Sequence, residues 1–274
     1  MSERIEAVYL SQEEKARTRT LYEAVFSEDT ERFVDFYYRY KVKYNKILAI
    51  EKENRPVAML HLNPYVMIVN GYQVNCSYIV AVATDKDYRK RGYMRVLMEQ
   101  ALQDMACQRM PFTFLMPADE RLYTPFDFSW ICPYTFPPGK FQRMEADEQN
   151  RYLAARYQMF CYRDERYMTE QRAQREAEQG EPLAEKMPPY MARITNVARM
   201  LQMAYSRQKR TWYLYVKDSL IKENDGYYLW RTAPDASEAV KLDRKPEKLD
   251  LELTVGELAS MIFGGFQICL SEVV

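Results

Sequence analysis

Between positions 78 and 105 the hydrophobic pattern of the sequence changes period once, and it does so across a basic turn. Tyr78, Ile79, Val80, Ala81, Val82 and Ala83 form the continuous apolar run of a buried strand. Met94, Leu97, Met98, Ala101, Leu102 and Met105 then recur at three- and four-residue spacing, which predicts one face of a helix over 93–109. Segment 112–116 is strand-like again, and the order strand, helix, strand predicts a βαβ unit.

The turn inside that unit is suited to an anion. Amides in the first turn of a helix lack intrahelical acceptors and sit at the positive end of the helix dipole, so a pyrophosphate can take their hydrogen bonds. Gly92 would let the backbone come close, and Arg89, Lys90, Arg91 and Arg95 add positive charge that favours a polyanionic ligand. The alternative for the same residues is a solvated charged turn.

Upstream, residues 5–10 read as a strand, and Ser11 with Glu14 forms a capping box ahead of a helix that turns Leu21, Val25 and Phe26 inward. Phe33, Phe36, Tyr37 and Tyr40 predict a second helix over 30–43. Strands over 47–51, 57–63, 65–69 and 72–83, with Asn70-Gly71 as a hairpin turn, predict an antiparallel meander. Downstream, 145–180 is dense in Arg, Glu and Gln and reads as linking helix. Strands over 191–194, 211–216, 226–232 and 249–253, with helices over 196–203 and 255–263, predict a further α+β domain. A chain of 274 residues accommodates two such domains: 1–143, a linker 144–187, and 188–274.

Charge and composition narrow the function. The 39 basic residues cancel 39 acidic ones, so no overall field gathers nucleic acid or anionic membrane. No apolar run of about 18 residues and no leader pattern is present, which predicts a cytoplasmic protein without a membrane partner. The five cysteines form no CxxC pair, so no metal or redox centre is expected. Tyrosines number 23 against the single His61, so proton transfer falls to phenols and carboxylates; His61, among apolar neighbours, reads as structural.

The run Arg89-Lys90-Arg91-Gly92-Tyr93-Met94 resembles the cofactor turn Gln/Arg-x-x-Gly-x-Gly/Ala of the GNAT acetyltransferases, with Met94 as the departure. A closer likeness is to the Eis-like (enhanced intracellular survival) branch, which acetylates aminoglycosides and proteins and carries a bulky residue there. Segment 114–128 is similar to that branch's stretch ending Ile-Tyr-x-x-Phe-Gly-Phe/Tyr, with Tyr123 at the tyrosine and Asp127 in place of the glycine. Segments 191–201 and 249–265 resemble its sterol-carrier-protein-like C-terminal domain, while its second GNAT-like region is missing or reduced to 144–187.

The resemblance implies an α+β protein: a GNAT fold with a mixed, mostly antiparallel sheet, followed by the smaller α+β domain. It implies acetyl transfer from acetyl-CoA to a small-molecule or peptide amine, in a homo-oligomer. Val82, Ala83 and Thr84 would bind the pantetheine arm through their backbone. Lys90, Arg91, Gly92, Tyr93, Met94 and Arg95, with Arg89, would hold the pyrophosphate, and Ala118 and Asp119 would lie beside the thioester. Tyr123 would be the general acid; a packing tyrosine is the plainer alternative. The base is open between the C-terminal carboxylate of Val274 and the carboxylates of Asp119 and Glu120, either of which would also serve as a helix cap. A degenerate acyl-CoA sensor or lipid-binding protein, which Asp127 would permit, is the competing function.

Overall fold

Asn70 and Gly71 both have positive φ, 48° and 82°, and make the turn that joins the two longest strands. In the computed structural model, which describes residues 5–136, 138–179 and 187–273, the elements run as follows. The first part contains β1 (Val8–Tyr9), α1 (Arg19–Val25), α2 (Glu31–Phe36), β2 (Lys46–Lys52), β3 (Arg55–Val69), β4 (Tyr72–Thr84), α3 (Tyr93–Cys107), β5 (Phe112–Leu115) and β6 (Ser129–Cys132). The middle holds α4 (Ala146–Ala154), β7 (Met159–Cys161) and α5 (Glu165–Ala177). The last part holds β8 (Tyr190–Ile194), α6 (Val197–Met203), β9 (Arg210–Lys217), β10 (Gly226–Thr232), β11 (Ser237–Leu242), β12 (Leu251–Thr254), α7 (Val255–Gly264) and β13 (Ile268–Cys269).

One large sheet has the order β1-β2-β3-β4-β5-β8-β6, with β7 beside the far end of β3 and β13 beside β7. The pair β4–β5 is parallel, as its helical crossover α3 requires, and the meander β2–β4 is antiparallel. Helix α3 covers one face, burying Leu97, Met98, Ala101, Leu102 and Met105. Each larger side chain among these contributes about 1.5–3 kcal/mol through burial. The other face carries α1 and α2, whose Leu21, Tyr22, Val34 and Phe36 share a core with Ile47, Ala49, Met59 and Ala81, and α5 closes over it with Ala173 and Ala177.

Several expectations change in detail. The two strands expected over 57–63 and 65–69 are one, β3, with Pro64 paired to Ser77. β2 reaches β3 only as far as Leu62 and β7 begins at Met67, so Pro64 lies in a gap along that edge, where a missing N–H costs no ladder bond. The helix expected over 30–43 starts at the Thr30 cap, which accepts from the Phe33 amide, and widens into a π-turn over Tyr37–Lys41. At the first helix only half of the capping box forms as a direct bond, from the Ser11 amide to Glu14 (2.8 Å), and a short 3₁₀ segment precedes α1.

The largest departure lies in the last third. β8, expected to open the second domain, is inserted between β5 and β6 of the large sheet, and β13 returns to it through β7. All five residues of β8 are buried, as a strand enclosed on both faces requires. The middle segment is not helix alone, since β7 within it pairs with β3. What stands apart is a four-stranded sheet, β11-β10-β9-β12, with Leu214, Val216, Tyr228 and Trp230 buried beneath α6 and α7. Among the described residues no helix is long and apolar enough to cross a membrane.

Candidate active site

β4 and β5 separate as they run. They pair only at Ser77–Thr113 and Tyr78–Phe114, while β5 pairs β8 along its other edge throughout, and the β4 edge from Ile79 to Thr84 has no strand beside it on that side. A bulge aids the opening: the register against β3 slips between Met59 and His61, where Ala81 takes φ 51°. Val82, Ala83 and Thr84 lie on this open edge, so their backbone groups can hydrogen-bond an extended chain; the Thr84 carbonyl already accepts from Arg89 Nε at 3.2 Å.

The turn beyond β4 is shaped by its backbone. Asp85 caps a short 3₁₀ segment by accepting from the Asp87 amide (3.0 Å), then Lys90 (φ 61°) and Gly92 (φ 80°) take left-handed conformations, and α3 begins at Tyr93. A Cβ on Gly92 would meet nothing within 4 Å, so the space over the first amides of α3 is open. Arg89, Lys90, Arg91 and Arg95 are exposed around it. Arg91 is steadied by the Asp87 carbonyl (2.8 Å) and by the Tyr88 ring, and Arg95 by Glu99 (3.1 Å). Free helix amides, positive side chains and an open strand edge fit the pyrophosphate and pantetheine arm of a CoA thioester. Tyr93 offers only its amide, because its ring is buried against Tyr88, and the half-buried Met94 packs on the core beneath.

After β5 the chain passes Ala118, which is exposed, and Asp119. The Asp119 carboxylate caps the short 3₁₀ segment Glu120–Leu122 and chelates Arg121 at 2.7 Å, bonds that hold it below the usual carboxylate range. Glu120 accepts from Trp130 Nε1 at 2.7 Å. Asp119 is thus the cap of its segment, whereas Glu120, in the first turn, ties the loop to β6 through Trp130.

Tyr123 follows, 8% exposed, its ring against Phe128, and burial pushes its phenol up to about 12. Asp127 takes φ 58°, so the position is left-handed; glycine suits it, and aspartate is among the few other residues that tolerate it. The departure thus preserves the turn.

Near Tyr123 lies a group of buried polar residues that sequence reasoning missed. The Tyr78 hydroxyl donates to the Val273 carbonyl (3.0 Å), and its phenol is raised by burial, with Glu272 and Tyr123 adding to the effect. Glu272 is enclosed by Arg163 and Tyr167, and Tyr190 donates to its carbonyl. A signal was present: Arg193 and Glu272 are lone charges within apolar runs. Val274 itself lies outside the described residues. His61 is fully buried, with Nδ1 2.9 Å from the Tyr37 hydroxyl, and faces the core. No cluster of potential metal ligands occurs among the described residues.

The family model for the acetyltransferase (GNAT) domain matches residues 7–131, and that for the sterol carrier protein domain matches 197–269. The chain therefore contains a GNAT acetyltransferase domain, followed by a sterol carrier protein domain. Similar solved structures include a GCN5-related N-acetyltransferase from Kribbella flavida (13% identity, TM-score 0.70, 95% of this chain and 90% of that one). A probable N-acyltransferase from Enterococcus faecalis (12%, 0.68, 95% and 90%) and Eis1 from Mycobacterium abscessus (12%, 0.62, 96% and 90%) share the same architecture. At these identities the likeness is one of fold. No curated protein matches the sequence.

Proposed function

We propose that this protein transfers an acetyl group from acetyl-CoA to a primary amine by direct attack on the thioester, with Tyr123 as general acid. The observation that carries the reading is the combination of a buried phenol with the open β4 edge and the basic helix start that follows it. The amine nitrogen attacks the thioester carbonyl, the C–S bond breaks, the departing thiolate takes the proton of Tyr123, and the proton shed by the acylated nitrogen restores the phenol. A phenol held near 12 stays protonated at neutral pH, so the proton is in place when the thiolate departs.

The pyrophosphate falls to the amides after Gly92 with Arg89, Lys90, Arg91 and Arg95, and the pantetheine arm to Val82, Ala83 and Thr84. Ala118 and Asp119 border the thioester. Asp119 is tied to Arg121 and Glu120 to Trp130, so each carboxylate has a structural part in this loop. The acceptor is an aminoglycoside, polyamine or lysine-type amine.

The test is release of free CoA thiol from acetyl-CoA in the presence of a panel of amines. Amine-dependent release that Tyr123→Phe slows by about 10²–10⁴-fold supports the reading. Acetyl-CoA binding without turnover would point to the sensor.

A further inference from the structure

The loop carrying Tyr123 is held by Arg193 of the large sheet, which is itself fastened to Asp218 in the sterol carrier domain. Arg193, in the middle of β8, donates from Nε to the Phe126 carbonyl at 2.7 Å, from Nη1 to the Ile194 carbonyl at 2.9 Å, and from Nη2 to Asp218 Oδ1 at 2.7 Å. Asp218 follows β9 and is itself fastened: Oδ1 accepts from the Leu220 and Ile221 amides, and Oδ2 from Asn224. Both charged side chains are 0% exposed.

The turn that Arg193 holds is short and stiff. The Phe126 amide donates to the Tyr123 carbonyl at 3.0 Å, and the Phe126 ring lies under the Arg95 guanidinium at 5.2 Å. Phe126 therefore joins the acid's loop to the cofactor helix on one side and to Arg193 on the other. A second contact comes from α7. Ser129 Oγ donates to the Gly256 carbonyl at 2.8 Å, and a Cβ on Gly256 would come within 3.1 Å of the Asp127 carbonyl oxygen.

A buried ion pair is a poor source of stability, because desolvating two charges offsets most of their attraction, and apolar replacements are often as stable. Its three directed bonds instead set where a backbone carbonyl can be. We propose that Arg193, with Asp218 as its counter-ion, is a positioning residue for Tyr123, so that the sterol carrier domain serves the transfer reaction by fixing the acid's loop against the cofactor helix. This rests on Tyr123 acting as the acid.

The test is a double-mutant cycle on the full chain. Arg193→Met, Arg193→Lys and Asp218→Asn are made with Tyr123 present and with Tyr123→Phe, and kcat is compared with the calorimetric affinity for acetyl-CoA. The expected result is a fall in kcat on the order of 10²-fold for Arg193→Met, since misplacement by about 1 Å can cost that much. Acetyl-CoA affinity stays within about two-fold, and no further loss appears in the Tyr123→Phe background, because a positioning group acts only through the group it positions. Equal losses in both backgrounds, or an unchanged kcat, overturn it. If Arg193→Met does not fold, Arg193→Lys decides, since a single ammonium cannot serve Asp218 and Phe126 in the same geometry. Failure of all three to fold makes the clamp purely structural and overturns the proposal. A Tyr123→Phe enzyme at full speed overturns the acid assignment as well, which sets that failure apart from failure of the clamp alone.

Discussion

The Arg163 guanidinium donates to the Glu272 carboxylate at 2.7 Å, with side chains only 1% and 0% exposed. Tyr167 donates to the same oxygen at 2.7 Å. Residues from the segment between the two family-matched regions thus fasten the end of the chain beneath the large sheet, where Val273 reaches Tyr78. Glu272→Ala leaves Arg163 charged, buried and unpaired, and is expected to destabilise by about 3–5 kcal/mol in urea titrations. Burial works against the Glu272 charge, but Arg163 and the hydrogen bonds prevail and its carboxyl lies below the usual value. Its stabilisation is therefore present above the unfolded value near 4.5 and lost as pH falls through the lower folded value.

His61 supplies a second, earlier acid transition. Burial pushes its imidazole from 6.5 down to about 3, with Lys15 contributing. Between those values the unfolded chain binds a proton that the folded protein does not, so stability falls as pH drops below 6.5, at about 1.4 kcal/mol per pH unit. Urea midpoints at pH 7, 6 and 5 should show the decline, and His61→Gln should flatten it; an unchanged slope in that variant would place the proton elsewhere.

Tyr123 makes a prediction about rate. With its phenol near 12, ionisation of the acid should not slow transfer anywhere below about pH 10, while loss of protons from the amine speeds it. A kcat profile that rises and then holds to pH 10 is expected. A descending limb near pH 9 that Tyr123→Phe abolishes would contradict the burial argument.

The cofactor turn can be tested at Gly92. With φ 80° and open space around it, alanine meets no clash but pays for the left-handed backbone, about 1–2 kcal/mol. Relaxation of that strain would re-aim the first amides of α3. Gly92→Ala should therefore weaken acetyl-CoA binding roughly ten-fold by calorimetry, while Gly92→Asn, better suited to this conformation, should lose less. Arg89→Ala should weaken it too, with a smaller salt dependence than the parent.

Local chemistry is what the sequence determined by itself. The period change around Gly92, the Asn70-Gly71 hairpin and the apolar face of α3 are set by neighbours within a few residues, and each recurs in the fold where the pattern implies it. The same holds for Asp127, whose tolerance of a left-handed turn is a property of its own side chain. Tertiary structure decided where the last third of the chain goes. β8 reads as any apolar strand, and nothing nearby in sequence says that β5 and β6 will receive it. The ion pairs Arg193–Asp218 and Arg163–Glu272 span 25 and 109 residues. A buried charge is stable only where its partner is delivered by packing, so such pairs exist only once the sheet has assembled around them.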